Sequence, residues 1–324
     1  MPTQINPQIP DSMQPRAGDY DYDLDRAMQA VVGVTAVVPD DAFTADILGT
    51  QRSGSGVLIR NDGIVLTIGY LVTEAETVWI GLSDGRTVPG HVLGYDQTTG
   101  FGLVQALARV DLPAIGIGQS ASLRLGDDVV LAAAGGRSGA IAARIIGKQE
   151  FAGYWEYVLD EAIFTAPAHP SWGGAALIGP AGDLVGIGSL RLEQSSEGAD
   201  EHLNMVVPID LLEPILDDLL TVGRPNRPPR PWLGIYAVEV DDNVVVAGTA
   251  SGAPADAAGL KNGDIILAVD GAEVTDLAGF FRNIWALGAA GTEVPLTVFQ
   301  EGRTADIRVT SGDRSDFLKS PSMH

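Results

Sequence analysis

The 324 residues, 45% of them hydrophobic, exceed what one small core needs and leave room for two ordinary domains. A formal net charge of −22 excludes nucleic acid and anionic membrane surfaces as partners, and the absence of cysteine excludes disulfides, thiolate metal sites and cysteine nucleophiles. Glycine, at 40 residues, stands well above its usual ~7% and, with frequent Val and Ile, favours a turn-rich β architecture.

In chain order, residues 1–26 are polar, proline-containing and then acidic ("GDYDYDLDR", 18–26), and read as a flexible acidic tail. They lack the cationic start and apolar run of a secretory signal, and no stretch reaches the ~18 apolar residues needed to cross a bilayer. A cytoplasmic protein without membrane insertion is expected, with the periplasm as the alternative if the start codon is misassigned. From residue 27, short apolar runs such as "AVVGVTAVV" (30–38), "GSGVLI" (54–59), "GIVLTIGYLV" (63–72) and "DDVVLAAA" (127–134) alternate with Asn-Asp-Gly and Ser-Asp-Gly-Arg turns. Many short strands at regular spacing predict a sandwich or barrel.

One helix is predicted in this part, "PIDLLEPILDDLL" (208–220), with Leu212, Ile215, Leu216 and Leu219 along one face and Asp210 placed to cap its start. The Pro/Arg-rich run "VGRPNRPPRP" (222–231) cannot build a core and is read as a linker. It separates a first domain at 27–221 from a second at 232–312, with a flexible tail at 313–324. In the second domain, "PWLGIYAVEV" and "NVVVAGTA" read as strands. "SGAPADAAGLKNGDIILAVDGAEV" follows as helix, turn and strand, then "DLAGFFRNIWAL" (276–287) as an amphipathic helix, and "EVPLTVFQEGRTADIRV" as a closing hairpin.

The ordered set "GSGVLI", "NDGIVLT", "LSDGR", "VLGYDQTTG", "LRLGDDVV", "GPAGDLVGI" and "NMVVPIDLL", followed by "PWLGI" and "SGAPADAAGLKNGDIILAVDG", resembles the HtrA/Deg family over roughly residues 27–312. The resemblance implies a mostly β protein: a trypsin-like double β-barrel followed by an α+β PDZ domain. It also locates the family's catalytic triad, and at each of its positions this chain departs. Tyr70 stands where the family's "LT-x-x-H-V-V" stretch has its histidine. Gly100 replaces the orienting aspartate, and Gly173 in "AHPSWGGAAL" (168–177) replaces the nucleophilic serine.

Triad chemistry needs an oxygen nucleophile, an imidazole base and a carboxylate that fixes its tautomer. Tyrosine, with a pKa of ~10, is a poor base at pH 7, and glycine offers no side chain. The expectation is therefore a catalytically inactive HtrA-like protein, not an enzyme, that binds peptides or partner proteins through its PDZ groove and regulates or scaffolds. The alternative is a serine-type endopeptidase or altered hydrolase using Ser171 as nucleophile with His169 nearby.

The backbone amides of Ser171 and Gly173 are expected to keep an oxyanion-hole-like turn. Trp172 either fills the vacated site or sits as a loop tryptophan. His169 and Ser171, two apart across a proline, read as unrelated loop residues. His91, on a predicted strand, His202, in a loop, and His324, at the terminus, are isolated. No cofactor and no metal site are expected, and the acidic runs "DYDYDLD" and "GADEH" read as solvated charge.

For the PDZ half, the resemblance assigns carboxylate binding to the Trp232-Leu233-Gly234-Ile235 run, where amides receive the charge and glycine lets the backbone approach. The facing helix offers Leu277, Phe281 and Ile284, flanked by Phe280 and Trp285, with part of this set needed for the core. The implied partners are peptides or protein C-termini. They also include further copies in a homotrimer built through the N-terminal segment, where Tyr20 and Tyr22 are the available aromatics, or an active family member.

Overall fold

The computed structural model describes residues 8–196 and 199–319. The start of the expected tail, Gly198 at the head of "GADEH", and the terminal His324 lie outside the described residues. The chain divides into two units: the second comprises Glu150–Asp160 and Arg227–Leu318, and the rest of the described chain forms the first.

In the first unit, the apolar runs become strands that bury both faces, as closed barrels allow. Strands β1 (Val31–Val37), β2 (Gln51–Arg60), β3 (Ile64–Ile68), β4 (Thr77–Gly81), β5 (Thr87–Tyr95) and β6 (Phe101–Ala106) close in the order β1-β2-β3-β6-β5-β4. A second barrel closes as β10-β11-β12-β9-β8-β7. Its strands are β7 (Asp128–Ala132), β8 (Ala140–Gly153), β9 (Tyr157–Ala166), β10 (Ala176–Ile178), β11 (Leu184–Ser196) and β12 (Ala199–Pro208). His91 lies on β5 as expected, whereas His202, expected in a loop, lies on β12.

The acidic N-terminal segment departs from the flexible tail expected of it. Ile9 is buried in the second barrel's core with Leu131 and Ile141, and the Met13 carbonyl accepts from the Ala142 amide at 2.9 Å. Asp23 caps the helix Leu24–Gln29 by accepting from the Arg26 amide at 3.0 Å. Tyr20 and Tyr22, whose ring centroids are 5.4 Å apart, are engaged within their own unit: a Cβ on Gly182 would lie 2.5 Å from the Tyr22 ring.

The predicted 208–220 helix is split into a 3-10 turn at Ile209–Leu211 and an α-helix at Glu213–Thr221. Pro214 explains the split, because proline fits the first turn of a helix and not its interior. Asp210 caps a different turn, accepting from the Ser120 and Ala121 amides at 2.8 Å each.

The second unit carries a sheet in the order β13-β14-β15-β17-β18, with β16 paired to β15. These strands are β13 (Ile235–Val240), β14 (Asn243–Thr249), β15 (Ile265–Val269), β16 (Ala272–Glu273), β17 (Glu293–Gln300) and β18 (Arg303–Thr310). The helix Leu277–Ala286 starts at Asp276, whose carboxylate accepts from the Gly279 amide at 2.6 Å. Its apolar stripe is core: Phe280, Phe281 and Ile284 are fully buried, in one cluster with Leu233, Ile235 and Val298. The groove-lining surface expected of Phe281 and Ile284 is thus sealed. Past residue 312 the chain is again held, with the Phe317 ring 4.8 Å from that of Trp232.

Candidate functional site

Two places carry the sequence's candidate residues. The first is the glycine turn after β9, where backbone packing is tight. Gly173 O accepts from the Ser55 amide at 2.8 Å, and the Gly174 amide donates to Gly188 O at 2.9 Å. Gly174 has φ +74°, and a Cβ there would lie 1.8 Å from Ser55 O, so only glycine fits.

His169 is buried beneath this turn. Its Nε2 pairs with Gly139 O at 2.9 Å, and its Nδ1 accepts from the Ser171 amide at 2.9 Å. Burial lowers its pKa, with the Gly139 carbonyl opposing, so the ring is neutral with its proton on Nε2. Both nitrogens are committed, so His169 pins the turn and does not serve as a base for Ser171. The same bond commits the Ser171 amide, so the oxyanion-hole-like pair expected from Ser171 and Gly173 is not formed in the expected way.

Tyr70 fills the space in front of Gly173. A Cβ on Gly173 would lie 2.7 Å from the Tyr70 hydroxyl oxygen, so the phenol and a side chain at 173 exclude each other. The hydroxyl donates to Ser189 O at 2.9 Å and is hydrogen-bonded to Trp172. Burial pushes the phenol's pKa up, and the Trp172 bond opposes this only in part. Trp172 is a partly exposed loop residue bonded to that hydroxyl, and Tyr70, not Trp172, occupies the space in front of Gly173.

A network that sequence reasoning missed holds Tyr70 from behind. The Arg52 guanidinium donates to the carbonyls of Tyr70 and Thr73 at 2.9 Å each, and to the Thr44 hydroxyl at 2.7 Å. Thr44 donates in turn to Glu74 at 2.6 Å. Burial raises the Glu74 pKa, but hydrogen bonds from Thr44, Lys319 and Phe43 outweigh it and hold the carboxylate below its ordinary range. The only sequence signal was Arg52 placed directly before the small and apolar run Ser53–Ile59 of β2.

Gly100 closes a turn in which the Asp96 carboxylate accepts from the Thr98 and Thr99 amides at 3.3 and 3.0 Å. Its φ is +81°, and its carbonyl accepts from the Gly69 amide at 2.6 Å. Backbone occupies this position and fixes the approach to Tyr70.

The second place is the Trp232–Ile235 loop. Gly234, at φ +74°, turns three consecutive amides toward one point. The Glu156 carboxylate sits there: it accepts from Leu233 at 3.1 Å, from Gly234 at 2.6 Å and from Ile235 at 3.0 Å. Glu156 is itself buried, and its pKa is pushed up to about 7 by that burial, against the pull of the three amides and of Arg314. Nothing in the sequence pairs residue 156 with this loop.

A family model described as "Trypsin-like peptidase domain" matches residues 54–187, and one described as "PDZ domain" matches residues 231–310. A "Probable periplasmic serine endoprotease DegP-like" of Chlamydia pneumoniae is 26% identical over 275 residues, covering 79% of this chain and 54% of that protein. A "Serine protease Do-like HtrA" of Lactobacillus helveticus is 26% identical over 291 residues, covering 81% of this chain and 69% of that protein. The chain belongs to the HtrA/Deg family.

The solved structure "HtrA-type protease AlgW with tripeptide" shares the fold of this HtrA/Deg chain, with a TM-score of 0.53 and 23% identity over 92% of this chain and 97% of that one. The chain spans about half the length of the DegP-like relatives it matches. The expectation that it is not an enzyme is corrected here. The relatives of this HtrA/Deg chain are named serine endoproteases and serine proteases, and the peptidase model runs through Tyr70, Gly100 and Gly173 alike.

Proposed function

We propose that this HtrA/Deg chain recognises the free carboxylate ends of polypeptides through the Trp232–Ile235 loop. The observation that carries this reading is the convergence of three amides, from Leu233, Gly234 and Ile235, on a single carboxylate. Charge-assisted bonds of this kind select an anionic group, and the bare glycine lets the backbone reach it. The PDZ family match supports it, as do the AlgW structures solved with a tripeptide and with a decapeptide. Fluorescence anisotropy tests it, with decapeptides ending in Val, Leu or Phe as free acids or as C-terminal amides. The expected result is binding of the free acid about tenfold or more tighter than of the amide, lost on Leu233→Asp. Equal binding of acid and amide overturns it.

A second reading is favoured by the relatives' names: serine-type endopeptidase, with Ser171 as the nucleophile. His169 takes no part in it, because its nitrogens are already engaged. A fluorophosphonate probe and a casein substrate test it together. The reading expects cleavage and labelling that Ser171→Ala removes, and labelling that survives this substitution overturns the role of Ser171. The word "periplasmic" in the relatives' names supports the periplasmic alternative to a cytoplasmic location.

A further inference from the structure

The loop that would receive a peptide's carboxylate already holds one from the same chain. Glu156 lies at the tip of the β8–β9 hairpin, and the tip meets the sheet edge at which a peptide strand would be added. Strand β13 is the edge of its sheet, and its Ala237 amide donates to Tyr154 O at 2.9 Å, as it would to an added strand. The Tyr154 ring meets the Tyr236 ring edge-on with centroids 5.9 Å apart. Val158 is buried in the cluster that contains Leu233, Ile235, Phe281 and Ile284, where an aliphatic side chain from a ligand would be taken up. Arg282, on the helix facing β13, pairs with Glu150 and Asp160 on the two arms of the hairpin. Those ion pairs are solvent-exposed, Asp160 almost fully, and add little, so the buried carboxylate and the buried valine hold the tip.

We infer that the Glu150–Asp160 tip is a built-in ligand of the peptide groove, with Glu156 in the place of a terminal carboxylate and Val158 in that of an aliphatic ligand side chain. An external peptide binds by displacing it. This rests on the carboxylate-recognition reading above and adds to it a competitor encoded in the chain. The competition sets the apparent affinity, because a groove open only part of the time weakens binding in proportion to that fraction. It also selects ligands: only a peptide end supplying both a free carboxylate and an apolar side chain replaces everything the tip contributes.

The test uses the full-length chain and two readouts. The first is amide hydrogen exchange at Leu233, Gly234 and Ile235 without peptide. The second is anisotropy with the free-acid decapeptides ending in Val, Leu or Phe. The wild-type amides are expected to be protected, and Glu156→Ala to speed their exchange and to tighten peptide binding by about tenfold, as when a groove open roughly a tenth of the time becomes fully open. Glu156→Gln keeps the length and one acceptor, and is expected to fall between the two. Equal exchange in wild type and Glu156→Ala overturns the inference, as does peptide binding of equal strength by both. Protection that Glu156→Ala abolishes, with no peptide bound by either form, overturns instead the carboxylate reading beneath it.

Discussion

At the scale of single residues, the contact between Tyr70 and Gly173 is the most demanding. A serine at 173 would place its Cβ 2.7 Å from the phenol oxygen, so the ring must leave its bonds to Ser189 and Trp172. Gly173→Ser is expected to destabilise the chain by about 1–3 kcal/mol, as overpacking does, and to cost much less in a Tyr70→His background. Urea unfolding of the two single variants and the double variant measures that coupling, and additive effects would refute it.

Glu156 gives a pH prediction. Its folded pKa of about 7 lies above the ordinary ~4.3 of glutamate, chiefly because it is buried. Docking therefore favours the protonated acid: its contribution is full below the unfolded pKa and declines as pH rises through 7. The charged or titratable groups facing it are Arg314 and Tyr236. The affinity gain of Glu156→Ala over wild type should shrink from pH 6 to pH 8, and a gain that widens would contradict the burial argument. Tyr70, Gly100 and Gly173 were found by counting from local motifs. Glu156 was not, because an acceptor for amides far along the chain leaves no periodic trace.

At the scale of elements, turn chemistry and apolar alternation carried most of the strands, since within each barrel all sequential strand pairs except β3–β4 and β9–β10 are hydrogen-bonded neighbours. The misreadings share one cause. Asp210, the acidic N-terminal segment and the last residues were read from local polarity, while each makes its decisive contact with a distant element. Asp210 binds the Ser120–Ser122 turn, Ile9 enters a barrel core, and the Phe317 ring packs at a tilt against Trp232. Asp210→Ala should accordingly cost about 1 kcal/mol by orphaning the amides of Ser120 and Ala121, with no loss of the Glu213–Thr221 helix. Chemical denaturation and circular dichroism separate the two, and a loss of helix signal would restore the local reading.

At the scale of the whole molecule, a net charge of −22 acts on every approaching peptide end. The ligand's carboxylate must cross a repulsive field before the three amides can hold it. Raising salt shortens that field to about 10 Å at 0.1 M and should speed the association of acidic peptides more than neutral ones. Stopped-flow anisotropy at two salt concentrations measures this, and rates that fall with salt would show a locally positive entrance.

The hairpin tip also bears on biosynthesis. Glu156 is translated 77 residues before Leu233, the first of the amides that receive it. While the ribosome completes the later residues, the tip's Phe151, Tyr154, Trp155 and Tyr157, which pack against one another, have no sheet edge to join. That interval exposes the chain to aggregation, because a late, long-range closure leaves apolar surface uncovered until the end. A nascent chain stalled before residue 227 should therefore be the form that chaperones hold longest.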